Sequence, residues 1–354
     1  MAREVAVIDC DGHLVESVPE LAEYMDPMIR ANALTPLRNR QGVFPSLDGF
    51  HYPTSERRED ETESKVRASS HRAGSGEDVL AFLEKAEIEH TVLYPSEGLA
   101  VGNIGVPEYA VRLCRAYNDY VADRFRRLSP RIHPAALIPM QDPKEAVIEL
   151  RRAVKELGLM GAMLPSTGLP LHLAHEYYWP VYEEAARLGC PLGVHGGANR
   201  DICHLDTFSN RLGARLLWHP MPLMVALVAF IYHGLFDRLP DLRVSFLEGG
   251  AAWTVPVFER MERDSEFFAG ARRKLPDYLT SGQILIGCEG NDDSLPYLAK
   301  RVGIEAFAYS SDYPHEVDLP GARRMIAETL ESSALSREEK AAVLGGNARR
   351  FFRL

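Results

Sequence analysis

Eight short apolar runs recur along this chain at fairly regular intervals: "VAVID", "HTVLYP", "HPAALIP", "LMGAMLP", "CPLGVHG", "LRVSFLEGG", "ILIGCEG" and "AFAYSSD". Their near-continuous hydrophobicity fits strands buried on both faces. Between most of them the hydrophobic residues recur at spacings of three and four, as in "DPKEAVIELRRAVKELG" at 142 to 158, where Gly158 suits a helix end. Strands alternating with helices imply a parallel sheet covered by helices, and eight such units imply closure into a (β/α)8 TIM barrel. An open, doubly wound sheet is the alternative. One domain is expected over 1 to 354, interrupted at 30 to 75 by polar, charged, Gly- and Pro-rich sequence. Because this insertion follows the first strand, it is expected over the catalytic end of the barrel, as a lid or a disordered loop.

The chain is 46% hydrophobic and 25% charged, enough for a sizeable core, and its net charge of -10 argues against nucleic-acid or anionic-membrane partners. The most apolar segment, "MPLMVALVAFIYHGLF" at 221 to 236, is broken by Pro222 and His233 and is short for a bilayer. It reads as a buried or subunit-facing helix, with a homo-oligomer expected. The N-terminus enters a strand with no apolar leader, so a cytoplasmic location is expected. Cys10, Cys114, Cys190, Cys203 and Cys288 are scattered and form no CxxC pair, which fits reduced packing residues.

The ends of the apolar runs carry the chemistry. Asp11 and His13 follow the first, His195 ends the fifth, and Glu248, Glu289 and Asp312 lie at the ends of the sixth, seventh and eighth. One such residue at a strand end is ordinarily a hydrogen-bonded loop residue. Five strands supplying such residues to the same end of a barrel make a metal constellation. Glu16 reads equally as an early helix carboxylate. His219, in "LLWHPMPLM", could bind a second metal, contact substrate or cap a helix, and His315, in "SDYPHE", is as open. His204 and His233 read as loop and packing residues.

The succession "DGH", "HPAALIPMQDP", "VHGG", "FDRLPDLRVSFLEGGAAW", "SDYPH" and "VLGGNARRFF" resembles the amidohydrolase-related TIM barrels that include aminocarboxymuconate semialdehyde decarboxylase. That resemblance implies metal ligands at Asp11, His13, His195 and Asp312. Two positions depart from it. Asp11 stands where related hydrolases begin HxH, and Glu248 stands where the decarboxylases carry a histidine. In addition, the fourth run ends "MLPS", without the lysine that bridges two metals in binuclear hydrolases.

Two or three imidazoles with three or four carboxylates match the donor set expected of two irons. The pattern thereby resembles the non-haem di-iron monooxygenase branch known from platensimycin and platencin biosynthesis. This resemblance implies two Fe ions held by Asp11, His13, His195, His219, Glu248, Glu289 and Asp312, with Glu248, Asp312 and His315 serving catalysis. It also implies a bulky apolar substrate, terpenoid or CoA-linked, in secondary metabolism, and an external electron donor. The alternative is a mononuclear Zn or Mn decarboxylase or hydrolase of a small carboxylate or ring, with Glu248 or His315 moving a proton. A catalytically silent barrel acting as a binding subunit is the third reading.

Overall fold

The computed structural model describes residues 5–27, 29–30, 43–45, 74–197, 205, 211–265, 267, 271–289, 292–315 and 317–354. Among them nine strands form: β1 (Ile8–Leu14), β2 (His90–Pro95), β3 (Ile132–Pro134), β4 (Ala136–Leu137), β5 (Ala162–Pro165), β6 (Leu192–His195), β7 (Val244–Leu247), β8 (Ile284–Cys288) and β9 (Phe307–Tyr309). All pair in parallel, in the order β1-β2-β3 and then β4 through β9. Apart from the half-buried His90, their residues are all buried, as continuous apolar runs require.

Each expected run becomes a strand except the third, "HPAALIP", which is divided into β3 and β4. Pro134 has no N–H to give the sheet, and the chain changes partners there: Ala135 N donates to Leu93 O at 2.8 Å and Ala136 N to Gly161 O at 2.9 Å. The fully buried Asn118, from helix Pro107–Val121, completes the short β4. Its amide donates to Leu137 O and its oxygen accepts from Leu137 N, both at 2.8 Å. The ring closes just beyond β9, where Asp312 N donates to Asp11 O at 2.9 Å and His13 N to Tyr313 O at 2.8 Å. The (β/α)8 barrel expected from the eight runs is therefore the fold, with β3 and β4 as its third strand.

The helices follow their sequence signals. Helix Pro143–Lys155 starts at Asp142, whose side chain accepts from Lys144 N and Glu145 N, and it buries Ala146, Leu150 and Ala153. The apolar helix Pro220–Tyr232 buries Leu223, Ala226, Leu227, Phe230 and Ile231 and packs on β6 and β7. With helix Arg211–Trp218 it gives a longer apolar stretch than its own run implied: within Gly213–Tyr232 an 18-residue window has mean hydropathy 1.6, and 44% of that window is buried within the molecule. Its inward face belongs to the barrel. Of the expected insertion, residues 31–42 and 46–73 lie outside the described residues, whereas Val43 and Phe44 are buried and Tyr109 Oη donates to Val43 O at 2.9 Å. Cys10, Cys114, Cys190 and Cys288 are free and buried, and burial pushes each thiol above its ordinary value. Cys203 and His204 lie outside the described residues.

Candidate metal centre

The first strand carries its ionisable residues within the sheet rather than after it. Asp9 pairs with Thr91 and Gly12 with Leu93, so β1 uses three residues where β2 uses two. This bulge re-aims the side chains that follow it. Gly12 is needed there, because a Cβ at that position would sit 2.6 Å from Thr91 Oγ1 and 2.9 Å from Asp9 Oδ2. Asp9 is fully buried and accepts from Ser311 N at 2.9 Å, Ser311 Oγ at 2.7 Å, Thr91 Oγ1 at 3.1 Å and Asp11 N at 3.2 Å. It ties the first strand to the segment after the last. Burial raises its carboxyl to about 6 despite those donors.

Above Asp9, four side chains converge. His13 Nδ1 lies 3.0 Å from Pro95 O, and His195 Nδ1 lies 2.7 Å from Gly196 O and 3.2 Å from Glu248 Oε2. Carbonyls and carboxylates only accept, so both Nδ1 atoms carry hydrogen and each Nε2 is left to face the site. His195 Nε2 is 3.1 Å from Asp11 Oδ1, and His13 Nε2 is 3.7 Å from Asp11 Oδ1 and 3.3 Å from Asp312 Oδ1. His13 Nε2 is buried without a hydrogen-bond partner. Burial, reinforced by His315 and His195, holds the His13 imidazole well below its ordinary value, so its Nε2 presents a lone pair to the carboxylates. At His195 burial also opposes the charge, but Asp11 and Glu248 outweigh it and hold the imidazole well above its ordinary value. A cation at this point would answer the His13 lone pair and both carboxylates, and would take the place of the proton on His195 Nε2. Asp11, His13 and His195 place donor atoms within 4.8 Å of one another, as do His13, Asp312 and His315. The donors fit one metal ion shared through His13.

The remaining expected residues divide. Glu248 and Asp312 adopt left-handed backbone, with φ of 63° and 53°, which is uncommon for residues other than glycine and directs both carboxylates into the same space. Glu248 Oε2 lies 3.4 Å from His219 Nδ1, and although burial raises its pKa, His219 and His195 hold it well below the carboxylate range. His315 stacks on His13 at 3.9 Å, with its Nδ1 3.0 Å from Asp312 Oδ1 and 3.9 Å from Glu248 Oε1. Glu289, just beyond β8, is exposed and belongs to neither donor group. Glu16 is buried, with its carboxyl raised by burial to about 7, and it accepts from Ser96 N, Glu97 N and Gly98 N at 3.1, 3.0 and 2.8 Å. It organises the turn after β2 rather than its own helix. Sequence reasoning did not single out the roles of Asp9, Ser96 or Ser310, whose Oγ is 3.4 Å from Asp11 Oδ2. Asp9 alone carried a signal, as a carboxylate inside an apolar run.

Comparisons with known proteins bear on the chemistry. The family model described as amidohydrolase matches residues 8–354. Gamma-resorcylate decarboxylase of Polaromonas sp. (strain JS666) is 26% identical over 278 residues, covering 75% of this chain and 83% of that one. The 2-amino-3-carboxymuconate-6-semialdehyde decarboxylase of Dictyostelium discoideum is 26% identical over 253 residues, covering 70% and 68%. Among solved structures, 2,6-dihydroxybenzoate decarboxylase from Rhizobium superposes with a TM-score of 0.71 at 20% identity, covering 99% of each chain. The 5-carboxyvanillate decarboxylase from Novosphingobium aromaticivorans, in complex with manganese, superposes with a TM-score of 0.72 at 18% identity, covering 99% and 97%.

These relatives overturn the expected di-iron monooxygenase, since they are decarboxylases and not oxygenases. The two irons and the oxidoreductase class fall with it, and nothing in these relatives calls for an electron donor or a CoA-linked substrate. Among the carboxylates counted toward a second iron, Glu289 is exposed, and Glu248 Oε2 lies 3.2 Å from His195 Nδ1 and 3.4 Å from His219 Nδ1. Counting donors in the sequence could not separate them. With a family model spanning 8–354 and the barrel it implies, the chain belongs to the amidohydrolase family.

Proposed function

We propose that this protein is a mononuclear metal-dependent decarboxylase acting on a small hydroxylated aromatic or unsaturated carboxylic acid. The observation that carries this reading is the pair of buried imidazoles, His13 and His195, whose Nδ1 atoms are committed to backbone carbonyls and whose Nε2 atoms face Asp11 and Asp312. Those four residues would hold the ion, with manganese or zinc suited to the nitrogen and oxygen donors. Bound there, a divalent ion supplies Lewis-acid stabilisation of negative charge on substrate oxygens.

The chain's own residues account for the rest. Loss of CO2 leaves the electron pair of the broken C–C bond on carbon, and that carbon must take up one proton. Glu248 stays ionised beside His195 and His219, so it is poorly suited to donate and instead holds both rings in place. His315 Nδ1, set between Asp312 and Glu248, is the group placed to deliver the proton. On this reading a carboxylate at 248 orients imidazoles, and a neighbouring imidazole supplies the acid.

Manganese-loaded protein offered 2,6-dihydroxybenzoate, 5-carboxyvanillate and a carboxymuconate semialdehyde should release CO2 from at least one of them under strict anaerobiosis. Chelation should stop the release. No CO2 from any of the three, or a product that requires dioxygen, would overturn the reading.

A further inference from the structure

Ser96 opens the turn after β2, and its hydroxyl has two neighbours: Leu14 O at 2.8 Å and His315 Nε2 at 2.9 Å. A serine hydroxyl carries one hydrogen and two acceptor lone pairs. The Leu14 carbonyl can only accept, so the hydroxyl hydrogen goes there. His315 Nε2 must then donate to Ser96 Oγ. The other ring nitrogen, Nδ1, is thereby the one presented to Asp312 and Glu248, 3.0 and 3.9 Å away.

The hydroxyl is itself fixed. Ser96 N donates to Glu16 Oε2, and the same buried carboxylate takes Glu97 N and Gly98 N, so the turn cannot shift without giving up three hydrogen bonds. A Cβ at Gly98 would sit 2.7 Å from Pro95 Cβ and 2.9 Å from Leu137 Cδ1, which leaves the turn little alternative packing. The ring is held from its face as well, by stacking on His13 with an interplanar angle of 29°.

We propose that Ser96 is a positioning residue, which holds the His315 ring by accepting from its Nε2–H and so keeps Nδ1 turned to Asp312 and the reaction space. The Ser96 contact lies on the side of the ring opposite Asp312, so it acts on the ring without touching the candidate ligands. Only the use of Nδ1 in proton delivery rests on the decarboxylase reading.

The test is nitrogen NMR of full-length, zinc-loaded protein labelled with 15N-histidine, with His315 signals assigned by their loss in His315→Gln. Wild type and Ser96→Thr should show His315 Nε2 protonated. Folded Ser96→Ala should lose that fixed pattern, and its kcat on a substrate turned over by wild type should fall roughly 10- to 100-fold with KM within about threefold, while Ser96→Thr recovers most of the loss. An unprotonated His315 Nε2 in wild type overturns the proposal, and so does a pattern unchanged in folded Ser96→Ala. The wild-type spectrum decides even where Ser96→Ala does not fold. The nitrogen signals need no substrate, so a wild type that decarboxylates nothing counts against the functional reading alone.

Discussion

Histidines gather at both ends of this barrel, and they behave differently. At the end where strands begin, His90 Nδ1 lies 3.1 Å from His133 Nε2, and Glu89, an exposed carboxylate, is 3.6 Å from His90. Burial lowers both rings, His133 to about 3, and the pair settles as neutral imidazoles bonded to each other. At the end where strands finish, His13, His195 and His315 meet the buried Asp11 and the nearly buried Asp312 and Glu248. Desolvation acts on all of them, yet only the second group has carboxylates that an ion can satisfy. A buried histidine on a barrel strand therefore means structure at one end and chemistry at the other, and the neighbouring acceptors decide which.

The contrast can be broken most decisively at His195. His195→Ala should leave a folded barrel that has lost most of its manganese, read by elemental analysis, with turnover lower by at least roughly 10³-fold; full metal occupancy in that variant would erase the distinction between the two ends. Glu248→Gln comes next. It should keep its metal while turnover falls by roughly 10²- to 10⁴-fold, because the imidazoles lose the anion that orients them; loss of one metal per chain would instead make Glu248 a ligand.

At the other end the effect should be on stability alone. The His133 pKa is depressed from 6.5 to about 3 on folding, so the unfolded chain takes up the proton first as pH falls. Its contribution is whole above about 6.5 and is lost progressively toward about 3, on the order of 5 kcal/mol in all. Denaturant titrations of wild type and His133→Leu should show the variant gaining on wild type as pH drops through that window, with metal content unchanged. A gap that does not vary with pH would show that the lower pair is not held neutral. The smallest effect is expected at Glu289, which is exposed: Glu289→Ala should change neither metal content nor turnover by more than about twofold, within the usual range for surface substitutions. A large loss there would reopen the donor set.

The fold and the residues of the candidate site were legible in the sequence for a common reason. Apolar runs of strand length, helical spacing between them, and ionisable residues at their ends are local patterns, and in a parallel barrel every strand finishes at the same face. Eight runs therefore announced the barrel, and Asp11, His13, His195 and Asp312 could be picked out as candidates before any of them was seen to meet. The division of "HPAALIP" was less legible, although Pro134 marked where a hydrogen bond had to be missing.

What only the tertiary structure decided is how the acids and imidazoles sort into partners. Glu248 and Glu289 occupy matching places in "EGG" and "EGN", yet one turns inward to His195 and His219 through a left-handed backbone and the other is exposed. Asp9 and Asp11 are two residues apart, and a bulge sends one beneath the site to Ser311 and the other into it. Ser96 and His315 are separated by 219 residues and meet only when the barrel closes. Periodicity fixes which face of a strand is buried, but the aim of a side chain past the strand end depends on backbone dihedrals and long-range hydrogen bonds, which no local pattern encodes.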